Sequence, residues 1–423
     1  MEYKEYNANS YNIHTIETKK FKTVRMEIVF SREVDLIDMP KFAFLTEMMS
    51  ETSQHYKKAR DIAIKLEDLY KANFYGTTSK VGNLFTISFI IDFINPKYLN
   101  EKKYLEDVIK FPLDIINNPN VNNNIFDEIS FNVIKKRLKE EIIRIKESSN
   151  LYALSSALKE MDKLSPSSHR VLGTKEDIDK ITPKSLYDAY LELFEKFNCD
   201  IFLIGDINSK ECIKIIENNY ENHFIKLFKP NLYVKNKLRK KALIKNKESN
   251  FIQSTLVMIY NINNLTKHEK DVNFHVFNYI FGNGGLKSKL YENLRNENSL
   301  CYSVRSMYLK YDGLLIVLVS LDPKNVDVAQ KLINKSLNEM IKGKFTEDDL
   351  NDAIKNLTFA LKLNLDSNSS ILNNYIFNYF DDLPLLEKRI ELIKNVTKED
   401  IMKCANSLTI NTIFTLDGGV KNE

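Results

Sequence analysis

One order of landmarks runs through this chain twice, which restricts it to folds in which a single module occurs in tandem. A β-rich run opens each half, at residues 23–30 and 254–262. A helical stretch follows, ending in LEDLYKANFYGTTS (66–79) in the first half and LYENLRNENSLCYSVRS (290–306) in the second. Dense apolar strands come next, 84–94 and 314–322, each followed by an Asn-Pro or Asp-Pro turn. Amphipathic helices at 105–116 and 326–341 lead to long helices that start on the same acidic beat, 126–142 and 345–361. Each half closes on a helix feeding an apolar strand with a terminal Asp, 193–207 and 404–418. So long a period excludes a solenoid, whose repeats span a few tens of residues, and predicts two fused domains of one fold.

Size agrees, because a chain of 423 residues exceeds what one hydrophobic core serves. The predicted class is α+β, each half a mixed, mainly antiparallel sheet backed by helices. The boundaries are drawn at 1–225 for the first domain and 249–423 for the second, with a linker at 226–248. That linker is lysine-rich, with Glu248 as its single acid. It reads either as a basic patch for an acidic partner or as a solvated connection held extended by like charges. No aromatic stacking pattern of a nucleic-acid groove accompanies the lysines, which favours the connection.

A net charge of +4 is small for this length and points to neither nucleic acid nor an anionic membrane as a partner. The longest apolar runs fall far short of the roughly 20 residues that cross a bilayer. The N-terminal MEYKEYNANSYNIH carries neither the basic nor the apolar region of a secretory leader. Cys199, Cys212, Cys301 and Cys404 show no metal or redox spacing and read as reduced thiols. The expected location is cytoplasmic.

Hydrolytic chemistry has few places to reside. The histidines form no H-x-x-E-H or H-x-x-x-H pattern, and no G-x-S-x-G is present. Glycine is scarce, yet Gly282, Gly284 and Gly285 cluster immediately before a helix. Such a turn lets an anion or another chain approach the backbone, or simply meets a need for positive φ. It is not a Walker loop, because Leu286 separates Gly285 from Lys287. Arg295 and Tyr302 follow; they are either donors converging on a carbonyl or oxyanion, or a surface Arg and a half-buried Tyr.

The segment FGNGGLKSKLYENLRNENSLCYSVRS resembles the C-terminal-half signature of the M16 family, which includes pitrilysin, insulinase and the mitochondrial processing peptidase. It keeps Gly284, Gly285, Ser288, Leu290, Leu294, Arg295, Tyr302 and their neighbours. The resemblance covers nearly the whole chain and implies the fold of the LuxS and processing-peptidase metallohydrolases. Active members carry H-x-x-E-H on a first-half helix. The matching stretch, FAFLTEMM, puts Ala43 and Glu47 at the two His positions and Thr46 at the general base. The third ligand falls near Lys135, so an ammonium is expected in its place. Zinc is not expected to bind, and no cofactor is expected.

By the same resemblance, zinc-free M16 chains pair with a zinc-bearing sister. This chain then looks like the non-metal subunit of a heterodimeric peptidase, inactive alone. Arg295 and Tyr302 would bind the peptide substrate and stabilise the transition state at the sister's zinc. Gly282, Gly284 and Gly285 would contact the substrate. Size and residue pattern fit the firmicute subgroup associated with 5-aminopentanol modification of elongation factor P. The alternative is a non-catalytic scaffold or peptide-binding protein of the same fold.

Overall fold

The side chains of residues 23–33 alternate strictly, and that alternation builds the first sheet. In the computed structural model, which describes residues 1–8, 10–220 and 228–419, Val24, Met26, Ile28 and Phe30 enter one core while Arg25 and Glu27 face the other way. β1 (Glu2–Asn7), β2 (Asn12–Glu17), β3 (Thr23–Glu33), β4 (Asn73–Val81) and β5 (Leu84–Ile94) belong to this sheet. β6 (Val121–Asn122) and β7 (Ile125–Phe126) form a separate small hairpin, and β8 (Asn198–Gly205) returns to the sheet. The order is β1-β2-β8-β3-β5-β4, antiparallel except where β2 runs parallel to β8. Phe85, Ile87, Phe89, Ile91 and Phe93 of β5 complete the apolar face. The helices Met39–Glu51, Tyr104–Asn117, Glu128–Glu147 and Pro183–Lys196 pack on that face.

The second sheet has β9 (Leu243–Glu248), β10 (Ser254–Ile262), β11 (Cys301–Leu309), β12 (Leu314–Leu321) and β13 (Leu408–Asp417), ordered β11-β12-β10-β13-β9. Matching by position gives β4 to β11, β5 to β12, β3 to β10, β8 to β13 and β2 to β9. The match extends to direction, because β9 runs parallel to β13 as β2 does to β8. The duplication read from the landmarks is therefore a duplication of topology. The expected equivalence of 84–94 with 314–322 is a pair of core strands, β5 and β12.

The connection at 226–248 contributes more than a tether. Its first two residues lie outside the described residues, but Leu243–Glu248 is an edge strand of the second sheet. Parallel addition beside β13 needs only backbone groups, which is why a run of lysines serves as a strand there.

Compactness does not follow the sequence halves. One unit comprises Met1–Ile143, Arg170–Leu232 and Ser367–Phe380; the other comprises Arg144–His169, Tyr233–Asp366 and Asp381–Glu423. Each sheet thus receives on its second face a helix from the opposite half of the sequence. In the second unit, Ala153, Ala157 and Met161 of helix Ser149–Met161 pack on Val257, Ile259, Leu314, Ile316 and Leu318. β12 is apolar on both faces and reads as a continuous hydrophobic run for that reason. In the first unit, helix Asn368–Asp381 covers the polar face of the first sheet. Tyr375 stacks on Tyr3 at 5.3 Å, and Tyr379 tilts over His14 at 4.6 Å. Beneath them, buried His14 meets Tyr3 Oη through Nδ1 at 2.8 Å and lies 3.3 Å from Asp200 through Nε2. Buried polar groups are tolerated only with such partners.

Candidate functional site

Helix Met39–Glu51 presents the stretch that resembles the family's metal motif. Pro40 in its first turn supplies a preset φ, and Met39, Phe42, Phe44, Leu45, Met48 and Met49 bury the helix in the first core. Ala43 and Thr46 are sealed in, 2 % and 1 % exposed. Ala43 has no donor atom, and the Thr46 hydroxyl donates back to the Phe42 carbonyl at 2.9 Å. Gly76 of β4 passes so close that a Cβ there would lie 2.8 Å from Thr46 Cγ2.

Glu47 faces a cation, but that cation is not Lys135. Arg137, on helix Glu128–Glu147, donates through Nη2 to Glu47 at 2.6 Å and through Nη1 to Glu51. Burial pushes the Glu47 carboxyl above its ordinary range, Glu51 and Glu141 add to the rise, and Arg137 opposes it. Lys135 turns aside to donate to the carbonyls of Asp179 (2.9 Å) and Ile181 (2.8 Å). The expected ammonium at the third ligand position is thus replaced by a guanidinium two residues along. Helix rotation explains the shift: Phe131, Ile134 and Leu138 face the core, with Phe131 stacked on Phe44 at 4.7 Å. One turn along that flank, Arg137 reaches across.

These residues do not fit zinc. One position lacks a donor, one hydroxyl is committed to backbone, and the remaining carboxylate is neutralised by Arg137. Among the described residues, no group of three His, Cys, Asp or Glu is arranged to hold a metal ion.

The second unit carries the glycine cluster and the Arg–Tyr pair. Gly282 and Gly284 have packing reasons for lacking a side chain. A Cβ at Gly282 would lie 2.5 Å from Leu290 Cδ1 and 2.7 Å from Ser306 Oγ, and one at Gly284 would lie 2.6 Å from the Tyr279 carbonyl. Gly285 is different, with φ +66° and open space where a Cβ would point. The need for positive φ therefore holds at one of the three. Ser288 then caps the next turn, its Oγ accepting from Tyr291 N and donating to the Gly285 carbonyl.

Leu290 and Leu294 anchor that helical segment in the core, leaving Arg295 on its outer side. Its guanidinium lies 5.0 Å from the ring centroids of both Tyr291 and Tyr302. Its Nη1 donates to the Tyr302 carbonyl at 2.5 Å. Tyr302 is the extra residue of a β-bulge: Cys301 pairs with Leu321 and Ser303 with Ser320, leaving Tyr302 unpaired between them. The bulge turns its ring outward, and Tyr302 is 78 % exposed instead of half-buried. The two residues read together from the sequence are in contact, and the glycines lie on the same unit.

Arg137 escaped the sequence reading. A usable signal existed: Glu47 and Glu51 sit one helical turn apart on a helix otherwise buried, and such a pair calls for a cation opposite.

A bilayered α+β module in duplicate, with no metal donors on the motif helix and an Arg–Tyr pair on a bulged edge strand, has the architecture of an M16-like peptidase fold without its metal motif. Residues 180–357 match the family described as the Peptidase M16 inactive domain. A Bacillus subtilis protein described as a probable inactive metalloprotease is 26 % identical over 412 residues, 96 % of this chain and 95 % of its own. The crystal structure of a conserved protein from Enterococcus faecalis superposes with a TM-score of 0.93 over the full length of both chains, at 26 % identity. That of a peptidase M16 inactive domain from Pseudomonas fluorescens, 18 % identical, superposes at 0.81 over the full length of both. Over its full length the chain is thus similar to M16 proteins described as inactive.

Proposed function

We propose that this chain is the zinc-free subunit of a two-chain M16 peptidase, lending Arg295 and Tyr302 to a peptide bound at the zinc of a sister subunit. The observation that carries the reading is Tyr302, a phenol turned out into solvent by a bulge and flanked by a guanidinium. A residue kept only for packing would be buried. An exposed hydroxyl on a rigid strand is preorganised to donate to an oxyanion that forms beside it. Arg295, fixed between two rings, adds positive charge where negative charge develops. The match to the Peptidase M16 inactive domain and the lack of metal donors on helix Met39–Glu51 support the same division of labour. The cytoplasm is the proposed location of the pair.

The scaffold reading rests on a separate observation: Arg295 already spends Nη1 on the Tyr302 carbonyl, so the pair also holds the bulge. Co-expression with an M16 chain bearing H-x-x-E-H, followed by turnover of mixed peptides with wild type and Tyr302→Phe, separates the two. Removing one oxyanion donor lowers kcat roughly 10²–10³-fold. Full activity in the mutant pair would leave the scaffold reading standing.

A further inference from the structure

The two sheets differ on the face that receives the exchanged helix, and the difference is chemical. The second sheet offers that helix Val257, Ile259, Ile316 and Leu318, and the contact is a dry core. The first sheet offers hydroxyls and charges. Register places Ser88 of β5 beside Thr77 of β4, and Thr86 beside Ser79, in a two-by-two lattice. Arg25 and Glu27 of β3 continue the same face. Helix Asn368–Asp381 does not fill the space above them, and a cavity of about 470 Å³ remains, walled on the helix side by Ser370, Asn373 and Ile376.

A sealed polar atom points to an occupant. Arg25 is 9 % exposed, and two of its nitrogens are committed, Nη1 to Asp92 at 2.8 Å and Nη2 to Tyr75 Oη at 2.9 Å. Its Nε–H, buried in the cavity wall, has no hydrogen-bond acceptor among the described residues. The nearest charge is Glu27 Oε2, 3.8 Å away and beyond hydrogen-bond reach. An orphaned buried donor is unfavourable unless something satisfies it.

We propose that this cavity binds a small neutral polyhydroxy compound of monosaccharide size, with one hydroxyl bridging Arg25 Nε–H and Glu27. The charge pattern selects this class. A hydroxyl accepts from the guanidinium and donates to the carboxylate at once, whereas a carboxylate or phosphate ligand would face the Glu27 carboxylate. An ammonium would satisfy Glu27 but set a second positive charge against Arg25. Burial also raises the Glu27 carboxyl above its ordinary range, which disfavours a site built around full charges. Ser88 already donates to Glu27, and Thr77, Thr86 and Ser79 supply groups that both donate and accept, as further sugar hydroxyls require. Val29 and Ile376 give the C–H face of a ring an apolar wall. The site lies apart from Arg295 and Tyr302 in the sequence and in the unit that carries it, so it stands or falls independently of the peptidase reading.

Ligand-observed saturation-transfer NMR on the full chain, with glucose, galactose, ribose and myo-inositol as separate probes and n-butylammonium and acetate as controls, tests it. The expected result is transfer from at least one polyol and from neither control. The signal is lost in Glu27→Gln, which removes the charge while keeping the shape, and in Ser370→Trp, which fills the cavity from the helix side. Circular dichroism verifies that each variant folds; if one does not, the other decides. Transfer from no polyol, transfer undiminished in a folded variant, or a response to the amine alone overturns the proposal.

Discussion

Arg295 holds its guanidinium 5.0 Å from the centre of the Tyr302 ring while donating to the Tyr302 carbonyl. One side chain therefore fixes both the ring and the backbone of the bulged residue. The bulge removes Tyr302 from the strand ladder, and Arg295 replaces the ladder's constraint with its own.

That relationship separates a catalytic from a structural role. Arg295→Ala forfeits an exposed cation–π contact of about 0.5–1 kcal/mol and a backbone hydrogen bond of about 1 kcal/mol. The loss of stability is accordingly small. Under the proposed role, turnover of the reconstituted pair is expected to fall far more than such a loss explains, and Arg295→Lys to recover little of it because an ammonium lacks the planar fork. Parallel unfolding curves and initial rates check this, and a fall in stability with unchanged rate would count against the catalytic role.

Zinc content is the most direct measurement at the degenerate motif. Elemental analysis of the purified chain is expected to find no stoichiometric zinc, since Ala43 and Thr46 provide no ligand and Glu47 is engaged by Arg137. One tightly held zinc per chain would contradict the assignment of this helix.

Arg137 itself is expected to act as a resident cation. In Arg137→Ala, Glu47 and Glu51 lose their partner, with Glu141 adding repulsion at Glu47. All three paired side chains are partly open to solvent, so the cost near neutral pH is at most about 1 kcal/mol. It shrinks as pH falls and Glu47 takes up a proton, at a pH above the ordinary carboxylate range because burial raises it. Urea unfolding at neutral and at acidic pH reads the difference, and an equal cost at both would remove the electrostatic explanation.

Two glycines of one cluster should respond differently to alanine. Gly282→Ala drives a methyl against Leu290 and Ser306, and overpacking of this kind costs about 1–3 kcal/mol. Gly285→Ala meets no neighbour and pays only for its left-handed backbone, about 1–2 kcal/mol. Crystal structures of the variants distinguish the mechanisms: displaced Leu290 and Ser306 side chains in the first, an undisturbed surround in the second.

Acid sensitivity has an identifiable source in His275. Burial, with smaller contributions from Arg389 and Lys310, pulls its pKa down to about 4. The unfolded chain binds this proton near pH 6.5, whereas the folded chain resists it until about pH 4. The unfolded state thus holds more protons in that window, and stability is full above it and falls as pH drops through it. The decline attributable to this residue is about 2 kcal/mol after allowance for its partial exposure. His275→Gln should flatten the stability profile between those pH values, and an unchanged slope would place the sensitivity elsewhere.

Much of the fold was legible because local periodicity records which face of an element is buried. The alternation of β3, the unbroken apolar run of β12 and the acidic starts of the long helices each report their own surroundings. Their repetition in one order established the duplication, the α+β class and the shared topology. The absence of metal donors at Ala43 and Thr46, and the closeness of Arg295 to Tyr302 across a short turn, were likewise open to sequence reading. Other features depended on contacts between segments distant in the chain. Arg137, not Lys135, meets Glu47 because the rotation of helix Glu128–Glu147 is set by Phe131 stacking on Phe44. The exposure of Tyr302 depended on a bulge that only pairing with β12 creates. The exchange of helices Ser149–Met161 and Asn368–Asp381, one onto a dry face and one over a polar cavity, has no local signature. An amphipathic stripe states that a helix must cover something; which sheet it covers is decided by the packing of the whole chain.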